Sequence, residues 1–510
     1  MIGKASPQAS LLGTDALLSR LFEGDDTSFY ARLAAHGHEI VVDDDFASCY
    51  AEGTGRPSIP PSLLMRAVLC QIRDDVSDRE AARRAAKDLD WKRALGIAAD
   101  AIPFHHTTLS VFRSRLLVND ADEVVLRKTI ARAAERGLFR KKVMAIADST
   151  SVMGAAAVAD TYELLRQAIN AVVDAAGGPK ALPARLRTRA RSCKRGKAAV
   201  DWSDPAARRA QLGELVGLAK DLLTATAADP ALTGARRLLE RIVDQDVDEH
   251  PADGGGPAIR QGVAADRVVS VVDPDMRHGR KSPAARVDGY KAHVLSDHGT
   301  ELVLAVGATP ANDPDGPQAA PMVAAARALG VDVAQVLGDT AYGDGDTRAA
   351  VEQAGARVVA KTPPPPATGR YPKTDFFIDP VVPLAACPAG QETTRWKTTS
   401  DRKGRPVVQL LFGDLCQGCE LRAMCTTAPG GRTLELNFHE HRLQAARADQ
   451  ARPSTRRKLR RRAVIERKLA ELKRHGMRKA RYRGTRKVLL QLRMTAALLN
   501  VKKLLAEQAV

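Results

Sequence analysis

Six short apolar segments, with room for helices between some and not others, constrain this chain more than any other feature. The first, Val143-Met144-Ala145-Ile146-Ala147, runs into Asp148-Ser149-Thr150. A helical block follows, from about residue 155 to 262. In it Leu164, Leu165, Ile169, Val172 and Val173 mark one helix, Leu212, Leu215, Leu218, Leu222 and Leu223 a second, and Leu238, Leu239, Ile242 and Val243 a third. A basic link at residues 185–197 lies between them. Three segments then come in quick succession: 267–272, which leads into Asp273-Pro274-Asp275, then 289–295 and 301–308. A Pro-flanked helix (about 317–329), a segment at 333–339, another helix and a segment at 357–360 complete the set. Three meander strands ahead of alternating helices and strands predict a mixed α/β sheet, and the helical block reads as an insertion into it.

The flanks are helical. Arg56-Pro57-Ser58-Ile59-Pro60-Pro61 is a natural helix entry, and Leu63, Leu64, Ala67, Val68 and Ile72 recur at helical spacing behind it. A second, basic helix spans 78–89, and Phe104-His105-His106-Thr107-Thr108-Leu109 opens a third. Short helices with scattered arginines suit a DNA-binding domain and equally a plain bundle. His105 and His106 read as cap or core residues. Pro363 to Pro366 mark a break, followed by an irregular block to about 440 and a helical tail. The expected divisions are an N-terminal segment 1–50, a helical domain 51–140, an α/β core 141–362 with 441–510, and a Cys-rich insertion 363–440.

Composition narrows the partners. Hydrophobic residues make up 44% and aromatics only 4%, so the core rests on Ala, Val and Leu. No apolar run reaches the roughly 20 residues of a membrane span. Met1 to Ser10 lack the pattern of a signal peptide, which predicts a cytoplasmic protein. The net charge is +18, and its location matters more than its size. From Arg442 onward there are 22 lysines and arginines against 4 acids, so the first 441 residues are neutral overall. A basic end of this kind is the footprint of a polyanion partner, or else an arginine-rich solvated helix surface.

Two carboxylates stand where an apolar strand breaks into Gly, Ser or Thr: Asp148 and Asp339. Phosphodiester cleavage by two metal ions needs hard oxygen ligands, and strand-end carboxylates can converge on such a pair. Either alone is an ordinary turn aspartate. In the tail, Arg462, Glu466 and Lys473 lie at i, i+4 and i+11. Steps of about 400° and 700° put all three within about 40° on one helix face. That face can hold metal and grip phosphate, or simply be an ion-paired surface. Asp273 and Asp275 read as a structural turn, and Asp344 and Asp346 as helix-start residues. Glu471 faces about 140° away from Glu466. Gly279-Arg280-Lys281-Ser282 is not a P-loop, since it lacks the Gly-Lys pair. Cys387, Cys416, Cys419 and Cys425 form C-x28-C-x2-C-x5-C, which suits a structural Zn²⁺ in a block poor in apolar periodicity. The alternative is four reduced thiols without metal. Cys49, Cys70 and Cys193 look isolated, and His439 and His441 are substitute ligands.

Over residues 50–505 or so, the chain resembles the DDE transposases of bacterial insertion sequences. The matching pieces are Asp148-Ser149-Thr150, Asp273-Pro274-Asp275-Met276-Arg277, Lys281-Ser282, Gly289-Tyr290-Lys291-Ala292-His293, Gly338-Asp339-Thr340-Ala341-Tyr342-Gly343, Ile465-Glu466-Arg467 and Arg481-Tyr482-Arg483-Gly484. Each is weak singly, and their order is specific. One branch carries Tyr, two residues, Arg, three residues, Glu, six residues, Lys. Arg462, Glu466 and Lys473 match it, and Leu459 departs from its Tyr. The resemblance implies a ribonuclease-H-like core in which Asp148, Asp339 and Glu466 hold two Mg²⁺ or Mn²⁺ ions. It implies phosphate contacts at Arg462 and Lys473, further DNA contacts at Arg467, Arg481, Arg483 and Lys291, and similar cysteines. The implied activity is metal-dependent cleavage and strand transfer of an insertion sequence. Its partners would be the duplex DNA of element ends and target, bound by a homo-oligomer at the nucleoid. The alternatives are a catalytically silent DNA-binding relative and a nuclease of the same fold.

Overall fold

Helices open the structure because the apolar positions from Leu33 to Leu126 recur at helical spacing and leave most of the arginines outside, with Arg66 and Arg113 buried. They are α1 (Phe29–Ile40), α2 (Pro61–Asp74), α3 (Asp78–Lys87), α4 (Leu89–Leu95), α5 (His106–Val118) and α6 (Val124–Glu135). Pro61 starts α2, and the Ser77 and Asp88 side chains cap α3 and α4. The computed structural model describes residues 1–4, 18, 20–53, 55–196, 198–280, 285–364, 369–379 and 381–507. Lys197, Lys281, Ser282, Pro365 and Pro366, which carried parts of the sequence reading, lie outside the described residues.

The central sheet starts with β1 (Val143–Met153). The insertion follows as α7 (Thr161–Ala175), α8 (Ala184–Arg195), α9 (Pro205–Ala225) and α10 (Thr233–Asp246), with a small ladder of β2 (Val247–Asp248) and β3 (Ala258–Ile259). The basic link is therefore mostly helix α8. The chain returns through β4 (Arg277–Arg280), β5 (Arg286–Asp297) and β6 (Val303–Pro310). Then come α11 (Ala319–Ala328), β7 (Val333–Leu337), α12 (Gly345–Gln353) and β8 (Arg357–Val359). β5 lies between β1 on one edge and β4 and β6 on the other, all antiparallel, while β7 and β8 continue parallel beyond β1. The chain is thus a mixed α/β protein, as its pattern predicts.

One expected strand is corrected. Residues 267–272 pair with no strand and bend from Val271, and Arg277–Arg280 supplies the third meander strand instead. The reason is that a side chain has taken the ladder's place. The Gln245 amide accepts from the Val268 N–H and donates to the Val268 carbonyl, at 2.8 and 3.0 Å. The Val269 carbonyl is taken by the Ala159 N–H.

The Cys-rich block is built of short strands: β9 (Phe377–Ile378), β10 (Ala385–Ala386) and β11 (Glu392–Thr393) in one sheet, and β12 (Trp396–Ser400), β13 (Pro406–Leu411) and β14 (Thr433–Glu435) in another. After a short helix α13 (Arg422–Cys425), the tail runs as α14 (Glu440–Ala451), α15 (Pro453–Arg460), α16 (Ala463–Leu472) and α17 (Thr485–Glu507). The N-terminal helices, the sheet and the tail share one apolar core, while the helical insertion and the Cys-rich block each have their own. Polar ties secure the tail. The Asn500 amide bonds both backbone groups of Val303 at 2.8 Å, and the buried Asp122 carboxylate receives Arg486 and Arg493.

Candidate active site and basic groove

Asp148 and Asp339 come together because their strands do. Ile146 pairs with Leu337 in parallel register, and each aspartate lies two residues beyond its half of that pair. Asp148 is half-buried with its Oδ1 accepting from the Ser149 N–H at 2.8 Å. Its Oδ2 meets the Arg462 guanidinium at 3.3 Å across 314 residues of sequence. Burial pushes its carboxyl above the ordinary value; the Ser149 bond and Arg462 pull it down, and the nearby charges of Asp339 and Asp315 push it up again. Asp339 caps its own turn, accepting from the Ala341 N–H at 2.9 Å. Gly338 is required just before it: a Cβ there would stand 2.7–2.9 Å from Tyr342 side-chain carbons. Tyr342 is fully buried, and burial followed by the charges of Asp315, Asp148 and Asp339 drives its phenol far up.

Asp315 is the carboxylate that sequence reasoning missed. It sits on the loop after β6 and takes Lys291 in an ion pair at 2.9 Å, while Lys291 also donates to the Asp313 carbonyl at 2.7 Å. Lys291, expected to meet DNA, is thus engaged inside the protein. No periodicity marks a loop aspartate as a neighbour of a strand end, so nothing local could have found it.

Beside Asp339 runs a groove of about 1070 Å³, walled by Lys361, Arg447, Arg456, Arg460 and Arg462. Leu459, which stands where the signature has Tyr, also lines it. Arg447 is paired with Glu440 and Arg462 with Asp148; Lys361, Arg456 and Arg460 form no ion pair among the described residues. The basic run 456–462 was the signal in the sequence for this wall, and only Arg462 of it had been singled out.

The other expected residues are spread more widely. Arg462 is the N-cap of α16, and Glu466 is an exposed residue one turn into it. Lys473 still has helical dihedrals and its N–H bonds the Leu469 carbonyl, so it keeps the helical course from Glu466; the helix breaks only beyond it, at His475 and Gly476, where Gly476 has φ +88°. Arg467 pairs with Glu301 at 2.6 Å, Arg481 donates to the Val76 carbonyl at 2.6 Å, and Arg483 is exposed. Among the described residues no group of three or more His, Cys, Asp or Glu side chains is spaced to hold a metal ion. The structure brings Asp148 and Asp339 together, and Glu466 lies on α16, the helix whose N-cap Arg462 meets Asp148.

The remaining acids have structural partners. Asp273 is buried, accepts from the Tyr290 hydroxyl at 2.5 Å and from the Gly484 N–H at 3.0 Å, and Asp275 accepts from the Thr485 N–H. Asp344 caps α12. Asp346 joins the core to the Cys-rich block through Lys403, Arg405 and His439; against the effect of burial, the two cations hold its carboxyl down at about 2. Glu471 pairs with Lys468 and Lys502. Cys387, Cys416, Cys419 and Cys425 surround a small cavity of about 20 Å³. Burial raises the Cys425 thiol, Arg432 lowers it, and the other three cysteines raise it further. Cys49, Cys70 and Cys193 are separate buried thiols.

Two family models match this chain. The model described as a transposase DDE domain matches residues 386–505, and a transposase domain of the DUF772 family matches residues 20–115. No curated protein and no solved structure matches it. No helix among the described residues is long and apolar enough to cross a membrane. The N-terminal helices and the C-terminal quarter of this chain are thus each similar to a transposase model, the second of them a DDE domain of the kind found in transposases of insertion elements.

Proposed function

We propose that this protein cuts DNA strands at its element's ends and transfers them to a target, using Asp148, Asp339 and Glu466 as its carboxylates. The observation that carries this reading is the parallel register of β1 and β7, which sets two carboxylates side by side at the rim of a basic groove. A half-buried aspartate raised by burial and by neighbouring acids is a place where negative charge lacks a full counterpart. Hard divalent cations relieve such an excess, which supports Asp148 and Asp339 as holders of Mg²⁺ or Mn²⁺, with Glu466 on α16 as the third carboxylate. Bound there, two ions would activate the attacking oxygen and stabilise the leaving one.

The chain's own residues do the rest. The Ser149 N–H and Arg462 orient the Asp148 carboxylate. Lys361, Arg456 and Arg460 offer free positive charge to phosphates, which positions the strand without reading its sequence. The order of three antiparallel strands followed by two parallel ones supports a ribonuclease-H-like core. The four cysteines offer the soft donor set of a structural Zn²⁺, which would stabilise a block whose own apolar core is small. In this reading the substrate is duplex DNA, held by a homo-oligomer at the nucleoid in the cytoplasm.

The test is cleavage of a labelled element end with Mg²⁺ or Mn²⁺, run beside a binding assay. Asp148→Ala, Asp339→Ala and Glu466→Ala should each lose about 10³-fold in cleavage and keep DNA affinity, since metal-borne stabilisation of the transition state amounts to several kcal/mol. Near-normal cleavage by one variant removes that residue from the site. Normal cleavage by all three moves the active site elsewhere.

A further inference from the structure

The helical insertion has an apolar core of its own, from Leu164 to Val247, which the sheet does not need. Next to that core lies a cleft of about 870 Å³. Helix α8, the basic link of the sequence, forms one wall and carries no acidic residue. Across it, the Tyr162 hydroxyl donates to the Arg208 carbonyl at 3.2 Å, which anchors the phenol to α9. The Trp202 ring stands edge-on to Tyr162, with centroids 5.0 Å apart and planes at 77°. Trp202 is 41% exposed, whereas Trp91 is fully buried in the main core.

The charges in the cleft are not all spent. Arg166 and Arg189 are taken by Glu163 and Asp221, each at 2.6 Å. Of the lining acids, Glu163 is bridged to Arg166 and Glu214 lies 3.8 Å from Arg189, while Asp160, which caps α7, keeps its charge. Arg195 and Arg208 are exposed and form no ion pair among the described residues. Free guanidiniums beside a fixed, partly exposed indole are the two elements of a single-strand binding surface: backbone charge and a stacking platform. The faces of paired bases are covered by their neighbours, so an indole in a cleft stacks only on unpaired ones. A compact space of this volume is about 10 Å across, enough for a few unpaired nucleotides and too narrow for a duplex.

We propose that this cleft is a second DNA site, which holds an unpaired stretch of DNA with its phosphates on Arg195 and Arg208 and a base against Trp202. The choice of DNA as the polyanion rests on the transposase family; the site itself does not depend on the carboxylates.

The experiment uses the full chain in EDTA, so that no cleavage is read. A fluorescein-labelled oligothymidylate of about 15 nucleotides is followed by anisotropy, and a 5-iodouracil version is photocrosslinked and mapped by mass spectrometry. Trp202→Ala should weaken binding at least about fivefold, with Trp202→Phe recovering most of it. Arg195→Ala with Arg208→Ala should flatten the salt dependence by about 1.4 in log–log slope, at about 0.7 per phosphate. The crosslink should fall on Trp202. Unchanged affinity in Trp202→Ala, or crosslinks confined to the groove beside Asp339, overturns the proposal, as does an equal loss of affinity for blunt duplex. Thermal melting and the Trp202→Phe variant separate loss of the platform from loss of the fold. Failure here leaves the cleavage assay untouched, and failure of the carboxylate variants leaves this result untouched.

Discussion

Arg456 and Arg460 are exposed, lie on one face of α15 at i and i+4, and wall the groove beside Asp339 without an ion pair among the described residues. If they meet DNA, they meet its phosphates. Each phosphate neutralised on a duplex contributes about 0.9 to the slope of log affinity against log salt. Arg456→Ala with Arg460→Ala should therefore flatten that slope by about 1.8. Between about 0.05 and 0.2 M salt, a fourfold rise, the unaltered protein should lose about twelvefold more affinity than the double variant. Exposed side chains outside any network change stability by no more than about 0.5 kcal/mol, so the fold should be untouched. The assay is a filter-binding or anisotropy titration of random duplex at four or five salt concentrations, with a thermal melt of each protein. Equal slopes for the two proteins would refute the groove as the path of the DNA backbone, whatever the effect on absolute affinity.

Three further outcomes are expected. Freshly purified, reduced protein should carry about one Zn²⁺ per chain by metal analysis, and Cys416→Ser with Cys419→Ser should lose it and become protease-sensitive between about residues 363 and 440; protein without zinc ends that reading. Gly338→Ala should destabilise the protein by about 1–3 kcal/mol in denaturant unfolding, because the added Cβ meets Tyr342 at 2.7 Å and overpacks a closed site; an unchanged midpoint would show that Tyr342 moves freely. Asp346 is held at about 2 against an ordinary 3.8, so its ion pairs stabilise the folded state fully above about pH 4 and are lost as pH falls toward 2. Asp346→Asn should therefore differ from the parent by up to about 1 kcal/mol at neutral pH, a small figure because the pair is a third exposed, and the gap should close on acidification; a gap that persists at low pH points to lost packing instead.

Local pattern sufficed where a local rule decides the structure. Apolar residues at helical spacing marked α2, the three long helices of the insertion and the tail, and the position of Asp339 just past a strand end followed from an apolar run breaking into Gly and Thr. Asp148 was expected at a strand end too, but β1 continues to Met153 because β5 pairs with Ser149 to Met153, so Asp148 lies in mid-strand. The mixed sheet was legible from the order of strands alone. What tertiary structure decided is everything that depends on partners far along the chain. Residues 267–272 have the composition of a strand and no strand to pair with, and the Gln245 side chain takes both backbone groups of Val268. Arg462 meets Asp148 across 314 residues of sequence, a contact that depends on how α16 packs against the sheet and that no spacing reveals. Lys291 was expected to meet DNA, and the loop after β6 folds back to place Asp315 against it. Helical and strand periods are written in neighbouring residues, so sequence determines them. The meeting of Asp148, Asp339 and Asp315 depends on β1 pairing with β7 and on a loop's closure, and only the folded chain brings those charges together.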